Sequence, residues 1–204
     1  MLVNNVKSPV MDNNSTLKSV YQELVNKFIS YHLYFNKLSI FCDMLRLHCF
    51  KRWFEYMSLD YLTKQKGLTR HAIDCFCFTV FPTFQEAETM QGMVNFQEVD
   101  PTKVDASYRS NMIKEILGEV KTLELSCYDF LTKKIQQVAS TYPTEVVNLT
   151  NIAKCVSKNI YELNRTMGHY NAFGYDNKFI EHEQEIGHNL WEEKTKSEFY
   201  VNYC

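Results

Sequence analysis

Apolar side chains recur every three or four positions through most of this chain, which is the spacing of one face of an α-helix. Over residues 15–47 the series Leu24, Phe28, Tyr31, Phe35, Leu38 and Cys42 keeps that step without a Pro or Gly, and Ser15 or Thr16 is placed to cap its start. A second series over 50–78 carries Phe50, Trp53, Phe54, Met57, Tyr61, Leu62, Leu68 and Ile73, with Gly67 weakening its middle. Residues 79–105 lose the period and hold Pro82, Gly92 and Pro101. They are too long for a link between neighbouring helices, so they predict a crossover, extended in part over 96–99.

A third helix is predicted over 106–141, with Met112, Ile116, Val120, Leu123, Cys127, Leu131, Ile135 and Val138 on one face. Tyr142-Pro143 ends it, because the residue before a proline is pushed out of the helical region. A fourth over 144–169 carries Val147, Leu149, Ile152, Val156, Ile160, Leu163 and Met167, and a short fifth is predicted over 179–195. Four long helices with one long middle link describe an all-α four-helix bundle in which the second and third helices point the same way. The polar start, 1–14, predicts a disordered arm; 15–197 form one bundle and 198–204 a tail.

Composition sharpens this picture. The 204 residues suit one domain, and the 14 Phe and 13 Tyr give its core large rings. Only 4 Pro and 6 Gly fit long helices better than a many-turned β fold. A net charge of -2 speaks against a nucleic-acid surface, which needs a clustered basic excess. The start lacks an apolar signal core and no run reaches spanning length, so the expectation is a cytoplasmic protein without membrane contact. Secretion would require a signal peptide already removed. The seven cysteines have no zinc-type pairing, and Cys75-x-Cys77 is one residue tighter than the common redox spacing. Apolar neighbours around most of them predict reduced, buried thiols, with Cys204 the most exposed.

Several segments, in order, resemble eukaryotic ferritin subunits. The first helix is similar to the ferritin A helix in its tyrosines and in Leu38-Ser39-Ile40. Phe96-Gln97-Glu98-Val99-Asp100-Pro101 resembles the Leu-Gln-Asp-Ile segment of the long BC crossover. Lys134-Ile135-Gln136-Gln137-Val138-Ala139-Ser140 resembles the end of the C helix. Glu185-Ile186-Gly187-His188-Asn189-Leu190-Trp191-Glu192-Glu193-Lys194-Thr195 is similar to the E helix, whose usual form is Gly-Leu-Ala-Glu-Tyr-Leu-Phe-Asp-Lys. The resemblance implies a ferritin-like bundle with a long BC crossover and a short fifth helix. It also implies a fourfold assembly contact lined by Ile186, Leu190 and Lys194.

Ferritin chemistry needs carboxylates from several helices, since two iron cations in a low-dielectric core require anionic ligands. Where the resemblance asks for a Glu on the first helix, this chain offers Tyr31, His32 and Asn36. Where it asks for Glu-x-x-His on the second, it offers Leu68-Thr69-Arg70-His71. The third helix supplies Glu124 or Glu119, and the fourth has Lys158 and Asn159 where Gln or Glu is usual. The residual metal candidates are His71 and Glu124 in the bundle and the Glu185/His188 pair beyond it. The expectation is a light-chain-like, non-catalytic subunit with no metal bound at a ferroxidase centre. It would build an iron-storage shell alone or with a ferroxidase-competent heavy chain, iron being stored by the assembly rather than bound by this chain. The second helix, with Glu55 and Asp60 among Lys51, Arg52, Lys64, Lys66 and Arg70, reads as net basic and unsuited to mineral nucleation. The competing expectations are a ferritin-fold homo-oligomer turned to a chaperone-like, scaffold or storage role, and a di-metal oxidase using His32, His71 and Glu124.

Overall fold

The computed structural model describes residues 10–83, 100 and 103–174, and within them the fold is four helices with no strand. They are α1 (Val10–Met44), α2 (His48–Phe76), α3 (Ala106–Val138) and α4 (Pro143–Phe173). Helix α1 starts ahead of the expected cap at Ser15, so neither Ser15 nor Thr16 caps it. The bend between α1 and α2 is tight, and Arg46 turns it with a left-handed φ of 60°. Helix α2 runs through Gly67 without interruption and stops at Cys77, also left-handed at φ 54°. The Cys77 amide donates to the Ile73 carbonyl and that of Phe78 to Ala72, which satisfies carbonyls left free at the helix end. Asp105 caps α3 by accepting from the Tyr108 amide at 2.7 Å. Pro143 opens α4 at a position where its missing N–H costs nothing.

Cross-helix contacts fix the directions. Ser58 meets His32, and Phe28 lies against Tyr61, so α2 runs antiparallel to α1. Tyr34 reaches Glu119, Tyr31 reaches Leu123 and Glu23 pairs with Lys134, so α3 is antiparallel to α1 as well. Phe50 packs on Tyr170 while His71 meets Glu145, which sets α4 antiparallel to α2. The order is therefore up, down, down, up, with α2 and α3 parallel, as the length of the middle link predicts. That link joins the end of α2 to the start of α3, which lie at opposite ends of the bundle. Its first residues begin the return along α1: the Phe81 carbonyl accepts from Gln22 and the Thr83 amide donates to Asn26 at 2.9 Å.

The core follows the predicted stripes. All six apolar positions read from the α1 pattern are buried, and α2 lays Phe50, Trp53, Phe54, Met57, Tyr61 and Leu68 against them. Two expected core residues face out, Ile73 and Val147, at 46% and 60% exposure. Both lie off the buried stripe of their helix: Leu68 and Ala72 take the inward face beside Ile73, and Glu145 and Leu149 beside Val147. Cys75 and Cys77 are likewise exposed rather than buried, while Ala72 and Phe76 take the inward side of the last turns of α2. Cys42, Cys49 and Cys127 are buried. Of the predicted arm over 1–14, residues 10–14 belong to α1 instead; residues 1–9, the extended piece at 96–99, the fifth helix over 179–195 and Cys204 lie outside the described residues.

Candidate functional site

Halfway along the bundle each helix contributes a polar or aromatic group to one internal cluster. Tyr31 comes from α1, Tyr61 and Lys64 from α2, Glu124 and Cys127 from α3, and Asn159 from α4. Glu124 is completely buried, and both its oxygens are engaged: Tyr61 Oη donates to Oε1 at 2.8 Å and Asn159 Nδ2 to Oε2 at 3.3 Å. Burial pushes the Glu124 carboxyl up to about 7, against the pull of Tyr61, Lys64 and Asn159. Burial also pushes the Cys127 thiol up to about 12 and raises the Tyr31 and Tyr61 phenols, in each case helped by the nearby Glu124.

Lys64 is the internal cation. Burial lowers its pKa, but the attraction of Asp60 one turn away, then of Cys155 and Glu124, outweighs this and leaves it raised. Its ammonium pairs with Asp60 and stands 4.8 Å over the Tyr61 ring. The cation that the resemblance sets at a ligand position is Lys158 instead. Lys158 is exposed and its neighbour Asn159 faces the core, because adjacent helix positions point about 100° apart. The net basic reading of α2 is softened in the same way, since Lys64 and Asp60 turn inward and Lys51 pairs with Asp43 at 3.0 Å.

The histidines lie elsewhere. His32 Nδ1 meets Ser58 Oγ at 2.8 Å, beside the α1–α2 seam. His71 is ten residues beyond Tyr61 on α2, roughly 15 Å along the axis. Its Nε2 contacts Glu145 Oε1 at 3.1 Å, and Cys75 Sγ lies 3.4 Å from its Nδ1. Glu145 is buried and accepts from Tyr21 Oη on its other oxygen, while Asn148 Nδ2 lies 3.3 Å from Oε1. The fold thus separates His32, His71 and Glu124 into three contacts instead of one set. Glu119 serves as acceptor for Tyr34. Among the described residues, no three or more His, Cys, Asp or Glu side chains are placed to hold a metal ion. Glu185, His188, Ile186, Leu190 and Lys194 lie outside the described residues.

Sequence reasoning missed the partners. Tyr61 and Leu68 look alike in a periodicity plot, and only the facing helix shows that one of them holds a carboxylate. Glu145 carried a signal that was available: an acid just inside a Pro-started helix sits at the positive end of the helix dipole. No helix among the described residues is long and apolar enough to cross a membrane. Comparison with protein-family models, curated proteins and solved structures gives no match.

Proposed function

We propose that this chain is a non-catalytic ferritin-type subunit, a bundle that serves as a building block of a larger assembly. The up-down-down-up order with a long middle link supports the ferritin-like reading. The observation that carries the non-catalytic part is the state of Glu124. Its two oxygens are taken by Tyr61 and Asn159, and burial pushes its carboxyl up to about 7, which disfavours the anionic form a cation needs. A ferrous ion entering there would have to displace both donors and face the Lys64 ammonium, which acts against cation binding.

The test is native mass together with ferrous oxidation, measured on the purified chain alone and after refolding with a ferroxidase-competent ferritin heavy chain. The expected outcome is a multi-subunit mass, with iron oxidation at the air background unless the heavy chain is present. A monomer in both preparations removes the building-block reading; oxidation above background by the chain alone removes the non-catalytic one.

A second reading, assembly without iron, has one observation in its favour. Exposed charge on α2 is Arg52, Lys66 and Arg70 against Glu55 and Asp74. Mineral nucleation needs clustered carboxylates, and that surface interleaves them with cations. Failure to retain iron in an assembled shell would favour this reading.

A further inference from the structure

At the end of α2, away from the central cluster, three side chains form a nucleophile–base–orienter series. Cys75 is exposed, His71 is about one-third exposed at 31%, and Glu145 is 2% exposed. The order matters: the reactive atom faces solvent, while the group that orients the base does not. Nε2 of His71 faces both Glu145 Oε1 and Asn148 Nδ2, each at 3.1 Å; in the tautomer that gives its Nε2 proton to the carboxylate, Nδ1 presents its lone pair to Cys75 Sγ at 3.4 Å. Asn148 donates to the same carboxylate, and Tyr21 Oη to its second oxygen.

The imidazole is also held on its faces. The Tyr21 ring stacks at 6.3 Å and 20°, and Phe76 approaches edge-on at 5.7 Å. A base fixed by a hydrogen bond and two rings needs little reorganisation to accept a proton. The titratable and charged groups around it are Tyr21 from α1, Glu145 from α4, and Cys75 with the paired Arg70 and Asp74 from α2 itself. Tyr142, at the start of α4, lies beyond Phe76. The two nitrogens of His71 point at different partners, so the series is a proton path and not a chelate.

We infer that Cys75 is a reactive thiol, with His71 as its base and Glu145 as the positioning residue, and that it is thiolated by small disulfides of the glutathione class. The Cys75 thiol passes its proton to His71 Nδ1 as the sulfur attacks one sulfur of the disulfide. A Cys75–S–S–R bond forms, the original S–S bond breaks, and the departing thiolate takes the proton from His71. One disulfide is consumed and one is made, so no other oxidant is required. This does not depend on the ferritin-type reading.

Cys77 supplies an internal control, being exposed two residues away. The experiment treats the full chain with oxidised glutathione and follows each site by peptide mass spectrometry across pH 6–9. Cys75 is expected to react about tenfold or more faster than Cys77, a modest share of what a positioned base supplies. His71→Gln should lower the Cys75 rate about tenfold and leave Cys77 unchanged. Glu145→Gln should move the pH–rate profile of Cys75, which a purely structural role would not do. Equal rates at the two cysteines overturn the inference, as does a wild-type Cys75 rate in a folded His71→Gln protein. Should the variants fail to fold, the ratio of the two rates in the wild-type chain decides alone.

Discussion

Glu124 binds its proton more tightly in the folded bundle than in the unfolded chain, and that difference is a statement about stability. Its pKa rises from 4.5 to about 7 because burial disfavours the carboxylate. Between those values the folded state holds more protons, so the contribution of Glu124 is fully present below about pH 4.5 and is lost as pH rises through 7. The loss amounts to about 3 kcal/mol on the 1.36 kcal/mol-per-unit scale. Glu124→Gln keeps the shape and removes the titration. Urea denaturation at pH 5 and pH 8 should therefore show the wild type weakening with pH more steeply than the variant. An identical slope in both would mean that Glu124 is not the group responsible. The Cys75–His71–Glu145 series belongs to this scale too, since it turns on single atoms 3.4 and 3.1 Å apart.

Among the elements, the turn between α1 and α2 is the most constrained. It reverses two long helices through Arg46, which sits at φ 60° with an ordinary side chain. A non-glycine residue there costs about 1–2 kcal/mol, and glycine removes that cost while losing part of it to unfolded-state entropy. Arg46→Gly should raise stability by about 1 kcal/mol, read as a melting temperature higher by about 2–4 °C. A lower melting temperature would mean that the arginine stem makes packing contacts worth more than the strain. The seam beyond that turn is aromatic: Phe35 stacks on Tyr61 at 5.7 Å and 7° and on Phe54 at 6.1 Å, and Trp53 stacks on Phe54 at 5.5 Å. Such pairs add about 0.5–1.5 kcal/mol each beyond area burial.

At the scale of the molecule, the two hairpins are unequal. The inward faces of α1 and α2 are ring-rich, whereas those of α3 and α4 are mainly aliphatic, with Ile113, Ile116, Leu117, Val120, Leu131, Leu149, Val156 and Leu163. Native-state hydrogen exchange should find its slowest amides around 28–38 and 53–65, with α3–α4 opening at lower cost. Equal or greater protection of α3–α4 would contradict this ranking.

Much of this organisation was legible from local spacing. Each helix turns its apolar stripe inward because the 3.6-residue period is written in consecutive residues, and helices that point the same way need a long link such as this one. Ile73, Val147, Cys75 and Cys77 departed from that reading because a helix buries only one face, and Leu68, Ala72, Glu145 and Leu149 take it there. The site was less legible still. Tyr61 finds Glu124 across 63 positions and Tyr21 finds Glu145 across 124. The sequence by itself determined the helices and their inward faces, since neighbours along the chain settle these; the parallel middle pair it only suggested, through the length of the link. Only the tertiary structure decided which buried polar groups share a partner: a carboxylate in a low-dielectric core must take whatever donor the facing helices bring, however distant in the chain.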